Sequence, residues 1–392
     1  MNGQKTGKET GKSKKGFWVA LIVVVLVLAL PLEVAAQTKQ YTIGYGIYNG
    51  SHPWAVESIK FTRWVAKCLN VKLVISFDNL KLEDQIANVE NFVSSKVDGV
   101  LILPVFPTIA PRVAPALERA KIAWGTYDAT LPEDVMKSMY QYKYFIGYTG
   151  QSNAMTGVDV ANFMLQQGKK NAVILAPERG FVMHEERVAG FVKAFKEGGG
   201  KVLAIQWNCT NAEDSAKVME SLLSAYPTLD CAYGTGDPVA IGAVEALRRH
   251  NLLGKIAVAG TDMSSEGLEL FRKGDMRFES GGHWADGGFA LIRLYNVLTG
   301  NALGTNKDVA TINLFPLRSQ EDASNYQKLM VDRPSYSEAE IRNLVKLFNP
   351  NMTFKIFQDA LNRHGIQDTY ERRTKDQKSN IAFPPLYSEI EW

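Results

Sequence analysis

The chain has 392 residues, with 44 Lys and Arg against 41 Asp and Glu, and 46% of it is hydrophobic. That length and apolar content suffice for two ordinary lobes with cores of their own. Near-balanced charge excludes a nucleic-acid binder, which needs a basic stripe, and a count of three cysteines excludes a disulfide framework.

The N-terminus reads as an export leader. Lys12, Lys14 and Lys15 precede an unbroken apolar run of 14 residues from position 17 to position 30, followed by Pro31 and the small residues Ala35 and Ala36. A basic segment, a short apolar segment and a small-residue cleavage site describe a secretory signal peptide over residues 1–36. The run is shorter than the roughly 20 residues that span a bilayer, and an uncleaved anchor is the alternative. Residues 1–36 hold five Lys and two Glu, so 44 less 5 and 41 less 2 leave the remainder at 39 against 39. Residues 7–13 look like a phosphate loop, but the spacing puts Thr6 where a Gly is required and no strand precedes it. Cys209 and Cys231 are candidates to pair; three buried thiols, with Cys68, is the preferred expectation.

From Tyr41 the chain alternates short β-rich runs with amphipathic stretches. Strands are expected at 41–48, 71–77, 97–103 and 122–127, separated by helices at 54–69, 82–95 and 109–120. The pattern restarts with a strand at 144–148, a helix at 152–167 and a strand at 171–176. Further helices fall near 185–196, 214–225, 238–249 and 266–273, with strands at 202–206, 231–234 and 256–260. A segment at 276–281, a helix at 284–298 and an apolar run at 310–316 cross back. Continuous apolar strands between helices indicate parallel sheets covered on both faces. The fold class is therefore α/β, as two doubly wound parallel-sheet lobes. The expected lobes are 37–147 with 281–311, and 148–280 with 312–335. Residues 336–392 form a charged, amide-rich extension with a helix near 357–363 and an irregular end, read as a surface wrap or a disordered extension, with partner docking as the alternative.

In open parallel sheets, ligands lie beyond the carboxyl ends of the strands. The loops there concentrate Trp, His, Asp and Gly. Sugar rings offer C–H faces that pack on aromatic planes and hydroxyls that need multivalent acceptors such as carboxylates. Trp54, Trp207 and Trp284 are thus candidate stacking walls, and Asp128, Asp237 and Asp262 candidate acceptors. His52, His184 and His283 also fall on these loops without metal-ligand spacing, so no metal and no cofactor are expected. No nucleophile, metallohydrolase or dinucleotide motif is present, and the carboxylates are scattered one per loop, which argues against catalysis.

Residues 97–104 (VDGVLILP), 186–191 (ERVAGF), 236–243 (GDPVAIGA) and 258–262 (VAGTD) carry a resemblance. In that order and spacing, from Tyr41 to about Leu317, the chain resembles the ribose-binding type of periplasmic protein. The resemblance implies two Rossmann-like lobes joined by three crossovers, a small sugar-like ligand clamped between them, and delivery to a membrane ABC permease from the periplasm. It places ligand contacts at Ser51, His52 and Trp54, at Asp128, near Glu185, Thr210, Gly236 or Asp237, at Asp262, and near Gly282 or His283. Leu103, Ala129, Glu185 and Thr261 depart from the family's usual Asn, Arg, Arg and aromatic. The Ser51–Trp54 loop and the long tail also resemble the autoinducer-2 and trimethylamine-oxide receptors, which report to a sensor kinase. The altered contacts would also suit a more apolar ligand, even a sterol. A monomer is expected.

Overall fold

The computed structural model describes residues 1–4, 7 and 39–392. The leader expected over residues 1–36 lies largely outside the described residues, and the architecture below belongs to the unit Gln40–Trp392.

The first lobe runs β1 (Tyr41–Ile47), α1 (Pro53–Cys68), β2 (Val71–Phe77), α2 (Leu82–Ser94), β3 (Gly99–Ile102), α3 (Ile109–Ala120), β4 (Ala123–Asp128), α4 (Glu133–Met139) and β5 (Phe145–Gln151). With β11 (Ala310–Ile312) these strands form one parallel sheet in the order β2-β1-β3-β4-β5-β11. Its strands read as unbroken apolar runs because both faces are covered. Phe61, Val65 and Phe289 lie in one core, while Phe92, Val113 and Trp124 lie in another.

The second lobe runs α5 (Asn153–Gln166), β6 (Asn171–Leu175), α6 (Val182–Glu197), β7 (Lys201–Gln206), α7 (Ala212–Ala225), β8 (Cys231–Gly234), α8 (Asp237–Arg249), β9 (Ala257–Ala259) and α9 (Ser265–Lys273). Its parallel order, β7-β6-β8-β9, repeats the 2-1-3-4 sequence of the first sheet. In each lobe the order therefore reverses between its first and third strands, and a crevice opens at that switch point.

Three passages join the lobes. The first follows β5, the second leads from β10 (Ser280–Gly281) into α10 (Asp286–Leu298), and the third runs from β11 to β12 (Phe315–Pro316), which pairs antiparallel with β10. The strand Phe145–Gln151, expected at 144–148, pairs along its length in the first sheet. Gly147 sits at a bulge in this strand at φ +98°, where a Cβ would come within 3.0 Å of Arg293 Nη2.

Beyond Leu317 the chain does more than wrap the surface. Helix α11 (Gln320–Tyr326) lies against α9, where Arg272 Nη2 donates to Ala323 O at 3.0 Å and Gln320 Nε2 to Arg272 O at 3.0 Å. A π-helical turn, Gln327–Val331, leads back to the first lobe, where α12 (Glu338–Asn343) packs on α1 and α13 (Phe354–Arg363) on β11. This makes a fourth passage between the lobes. Phe357, Leu361 and Ile390 are buried in the same core as Phe61 and Phe289. Where an irregular end was expected there is a helix, α14 (Ile366–Lys378). It has no apolar stripe to reveal it and is held by Arg372 and Arg373, which donate to Glu340 at 2.8 and 2.5 Å. Cys68, Cys209 and Cys231 are all buried and unpaired, so the Cys209–Cys231 pairing does not form.

Candidate functional site

A cavity of about 410 Å³ lies between the lobes at the carboxyl ends of the strands, in the range typical of small-molecule sites. The loop after β1 builds one wall. Asn49 Oδ1 accepts from His52 N at 2.7 Å, and Pro53 starts α1, fixing its φ. This sets Trp54 in the first turn, stacked on Tyr48 with ring centroids 5.8 Å apart and planes 14° apart. Tyr48 Oη and His52 Nδ1 share a hydrogen bond of 2.9 Å. The stack continues onto His283, 5.7 Å from Trp54, so three rings form one aromatic face.

His283 links that face to the second lobe. Its Nε2 lies 3.3 Å from Asp262 Oδ1, and Arg187 Nη1 lies 3.6 Å from the same oxygen. Burial alone would raise the Asp262 carboxyl, but the His283 hydrogen bond and the Arg187 charge outweigh it and hold the group at about 2. Asp262 sits at φ +128° and Met263 at φ +56°, a sharp turn directly beyond β9. Arg187 is fixed by Nε donating to Asn153 Oδ1 at 3.2 Å and Nη1 donating to Thr235 O at 2.8 Å. Two glycines bring its helix into place. A Cβ on Gly157 would lie 2.0 Å from Arg187 O, and one on Gly190 2.0 Å from Ala154 O, so α5 and α6 cross almost backbone to backbone. His184 shares a 2.9 Å hydrogen bond with Thr235, and burial beside Arg187 lowers it to about 3, leaving it neutral.

Asp128 enters from the end of β4 in a left-handed conformation, φ +61°, which costs a non-glycine residue about 1 kcal/mol or more. Gln151 Nε2 donates to its Oδ1 at 3.0 Å. Burial raises the Asp128 carboxyl, opposed by His283 and Arg187. Behind it Asp286 is raised well above its ordinary range by burial and by the Asp128 charge. Among the described residues the Asp286 oxygens have no hydrogen-bond partner.

Of the residues singled out from sequence, His52, Trp54, Asp128, His184, Thr210, Gly236, Asp262 and His283 line this one cavity, Thr210 at its rim. Four do not. Ser51 is exposed on the Asn49 turn. Glu185 accepts from Gly180 N at 3.1 Å and caps its own loop. Asp237 is fully buried below the cleft, where its Oδ2 accepts from Ser264 N at 2.7 Å and so holds the Asp262 turn. Trp284 is a core residue whose Nε1 donates to Tyr326 Oη at 2.8 Å. Trp207, a candidate wall, instead packs under Arg179, whose guanidinium sits 4.6 Å from the ring centroid. A carboxylate or indole near a strand end reads the same in sequence whether it faces the cleft or supports it from below.

Sequence reasoning passed over several liners. Tyr48 was read only as the end of a strand. Arg187 sits two positions beyond the expected Arg, and the signal that finds it is the Gly157/Gly190 helix contact. The 79–81 loop, with Phe106 and Phe181, completes the outer cleft. Leu103 and Ala129, two of the departing positions, are fully buried in the first-lobe core. Among the described residues no group of three or more His, Cys, Asp or Glu side chains is placed to hold a metal ion.

Comparison with known proteins agrees with this geometry. The family described as periplasmic binding protein domain matches residues 43–301. The D-xylose-binding periplasmic protein of Escherichia coli K12 is 25% identical over 279 residues, covering 64% of this chain and 76% of that protein. A periplasmic sugar-binding protein from Pseudomonas fluorescens superposes with a TM-score of 0.72 at 16% identity, covering 84% of this chain and 99% of that one. A solute-binding protein from Actinobacillus succinogenes 130z, solved with bound D-allose, gives a TM-score of 0.66 at 23% identity over 73% of this chain and 100% of its own. These two structures share the hinged two-lobe fold. The chain belongs to the periplasmic binding protein family, and it is a solute-binding protein rather than an enzyme.

Proposed function

We propose that the protein clamps one sugar molecule between its lobes in the periplasm and delivers it to an ABC permease. The observation that carries this reading is that both lobes and the second crossover send polar groups into one cavity. Asp128 comes from the first lobe, Arg187 and Asp262 from the second, and His283 from the crossover, beside the Tyr48–Trp54 stack. Carboxylates with a guanidinium suit vicinal hydroxyls, and the ring stack suits a C–H face. The named relatives, a D-xylose-binding protein and a structure with D-allose, support the same class. On this reading the lobes are 40–151 with 283–314, and 152–281 with 315–326, and the extension belongs to the first. One chain supplies both walls, so a monomer suffices, and residues 1–36 serve as the export leader.

The test is calorimetric titration of the purified chain, stripped of endogenous ligand by unfolding and refolding, against a panel of aldoses. Saturable one-to-one binding of at least one aldose is expected, and Asp262→Asn should weaken it by about 10- to 100-fold, the value of a charged hydrogen bond. No binding across the panel would contradict the reading.

A further inference from the structure

The second crossover is gripped by the chain beyond Leu317. Between β10 and α10 it passes through Gly282, His283 and Trp284, and the residue on each side of His283 is tied down. Gly282 O accepts from His364 Nε2 at 3.1 Å, and Trp284 Nε1 donates to Tyr326 Oη at 2.8 Å. Tyr326 ends α11, and His364 directly follows α13 in the extension.

The side chain between these two anchors faces the cleft. His283 lines the cavity, with its Nε2 3.3 Å from Asp262 Oδ1 and its ring against Trp54. Its Nδ1 is buried and, among the described residues, has no hydrogen-bond partner. The aim of the ring is therefore set largely by the backbone turn at Gly282. That turn is left-handed, at φ +100°, and a Cβ there would lie 2.2 Å from Phe315 Cε1. Glycine has the least restraint of its own, so such a turn needs a hold from outside. A second hydrogen bond to Gly282 O, from Ala285 N, is longer at 3.3 Å.

His364 supplies that hold in a fixed form. A carbonyl only accepts, so His364 Nε2 carries the proton. Burial lowers the imidazole to about 3, which keeps it neutral and leaves Nδ1 bare to accept from Tyr336 Oη at 3.4 Å. Tyr336 stacks on the ring with planes 16° apart, and Trp284 and Phe289 meet it edge-on with centroids 5.6 and 5.7 Å away. Tyr336 is covered in turn by the Arg372 guanidinium, 4.2 Å from its centroid, which pairs with Glu340. Tautomer and ring plane are both determined. Resting on the reading of the cleft as the ligand site, we infer that His364 is a positioning residue for binding. Its Nε2–H holds the left-handed Gly282 turn and so keeps His283 against Trp54 and within reach of Asp262. A side chain of the extension, outside the cavity, thus sets the strength of binding inside it.

The test compares His364→Leu, which removes the donor, with His364→Gln, whose amide N–H can reach the same carbonyl. Calorimetric titration of the stripped full-length chain uses an aldose that the native chain binds, and circular dichroism confirms that each variant is folded. His364→Leu is expected to weaken binding about tenfold, and His364→Gln to remain within about threefold of native. Phe357→Ala, in the same core but without a hydrogen bond to the crossover, should leave affinity unchanged, which separates positioning from loss of stability. A His364→Leu chain that binds as tightly as the native one would overturn the inference, as would a His364→Gln chain that falls equally far. A ligand-free readout is the nuclear magnetic resonance of the histidine rings. The His283 signals should stand closer to native in His364→Gln than in His364→Leu, with the exposed His250 unmoved in both. His283 signals alike in the two variants would also overturn the inference. If no aldose binds the native chain, the sugar reading falls and the resonance comparison alone decides the role of His364.

Discussion

The two lobes share a strand order and differ in what they bring to the cleft. The first contributes rings and one strained carboxylate, and its Tyr48–Trp54 face is continuous with the large core that also takes in the C-terminal extension. The second contributes an ionic cluster, Arg187–Asp262, standing on a buried carboxyl pair. There Glu279 Oε1 accepts from Met263 N at 2.9 Å and Asp237 Oδ2 accepts from Ser264 N. Burial pushes Asp237 up to about 7 and Glu279 well above its usual range, so that pair is not fully ionised near neutrality. The contrast shows two ways to build a binding wall. A stacking face is core surface left uncovered, whereas an ionic face needs a polar foundation beneath it.

The largest expected effect tests the first half of that contrast. If the extension completes the first lobe's core, Phe357→Ala should cost about 3–5 kcal/mol, as truncating a fully buried aromatic does. Denaturant unfolding followed by circular dichroism measures it. A loss below 1 kcal/mol would make the extension an appendage. Gly190→Ala probes the second lobe: a new methyl against the Ala154 carbonyl should cost about 1–3 kcal/mol as α6 is pushed outward. Because Arg187 rides on α6, aldose affinity should fall as well, whereas Phe357→Ala should leave the affinity of the folded fraction intact.

A smaller effect, in pH dependence, separates the carboxyls. A group whose folded value is raised, such as Asp237, adds stability that is fully present below its unfolded value and lost as pH rises toward about 7. Stability should therefore decline between pH 4 and 7, and Asp237→Asn should flatten that slope. Asp262 acts in the opposite sense, because its lowered value gives stability that disappears only as pH falls toward about 2. A slope unchanged by Asp237→Asn would remove the foundation from the account.

Much of this architecture was legible in the sequence. Helical and strand periodicity located both lobes, because a doubly wound sheet writes its strands as apolar runs. Helix α14 was missed because ion pairs to Glu340, and not an apolar stripe, hold it. The strand-end rule brought His52, Trp54, Asp128, His184, Thr210, Asp262 and His283 into one cavity. It failed for Asp237 and Trp284, which support the cleft from beneath, because facing direction is set by tertiary packing. Leu80 escaped for the same reason, since its place depends on a strained loop.

The central claim is that the lobes close on a sugar held from both sides. Small-angle X-ray scattering of the stripped chain, with and without a saturating aldose identified by calorimetry, tests it most directly. The account expects the radius of gyration to fall on binding, and Asp262→Asn to need a higher sugar concentration for the same fall. Tight binding with no change in the radius of gyration would contradict the clamp.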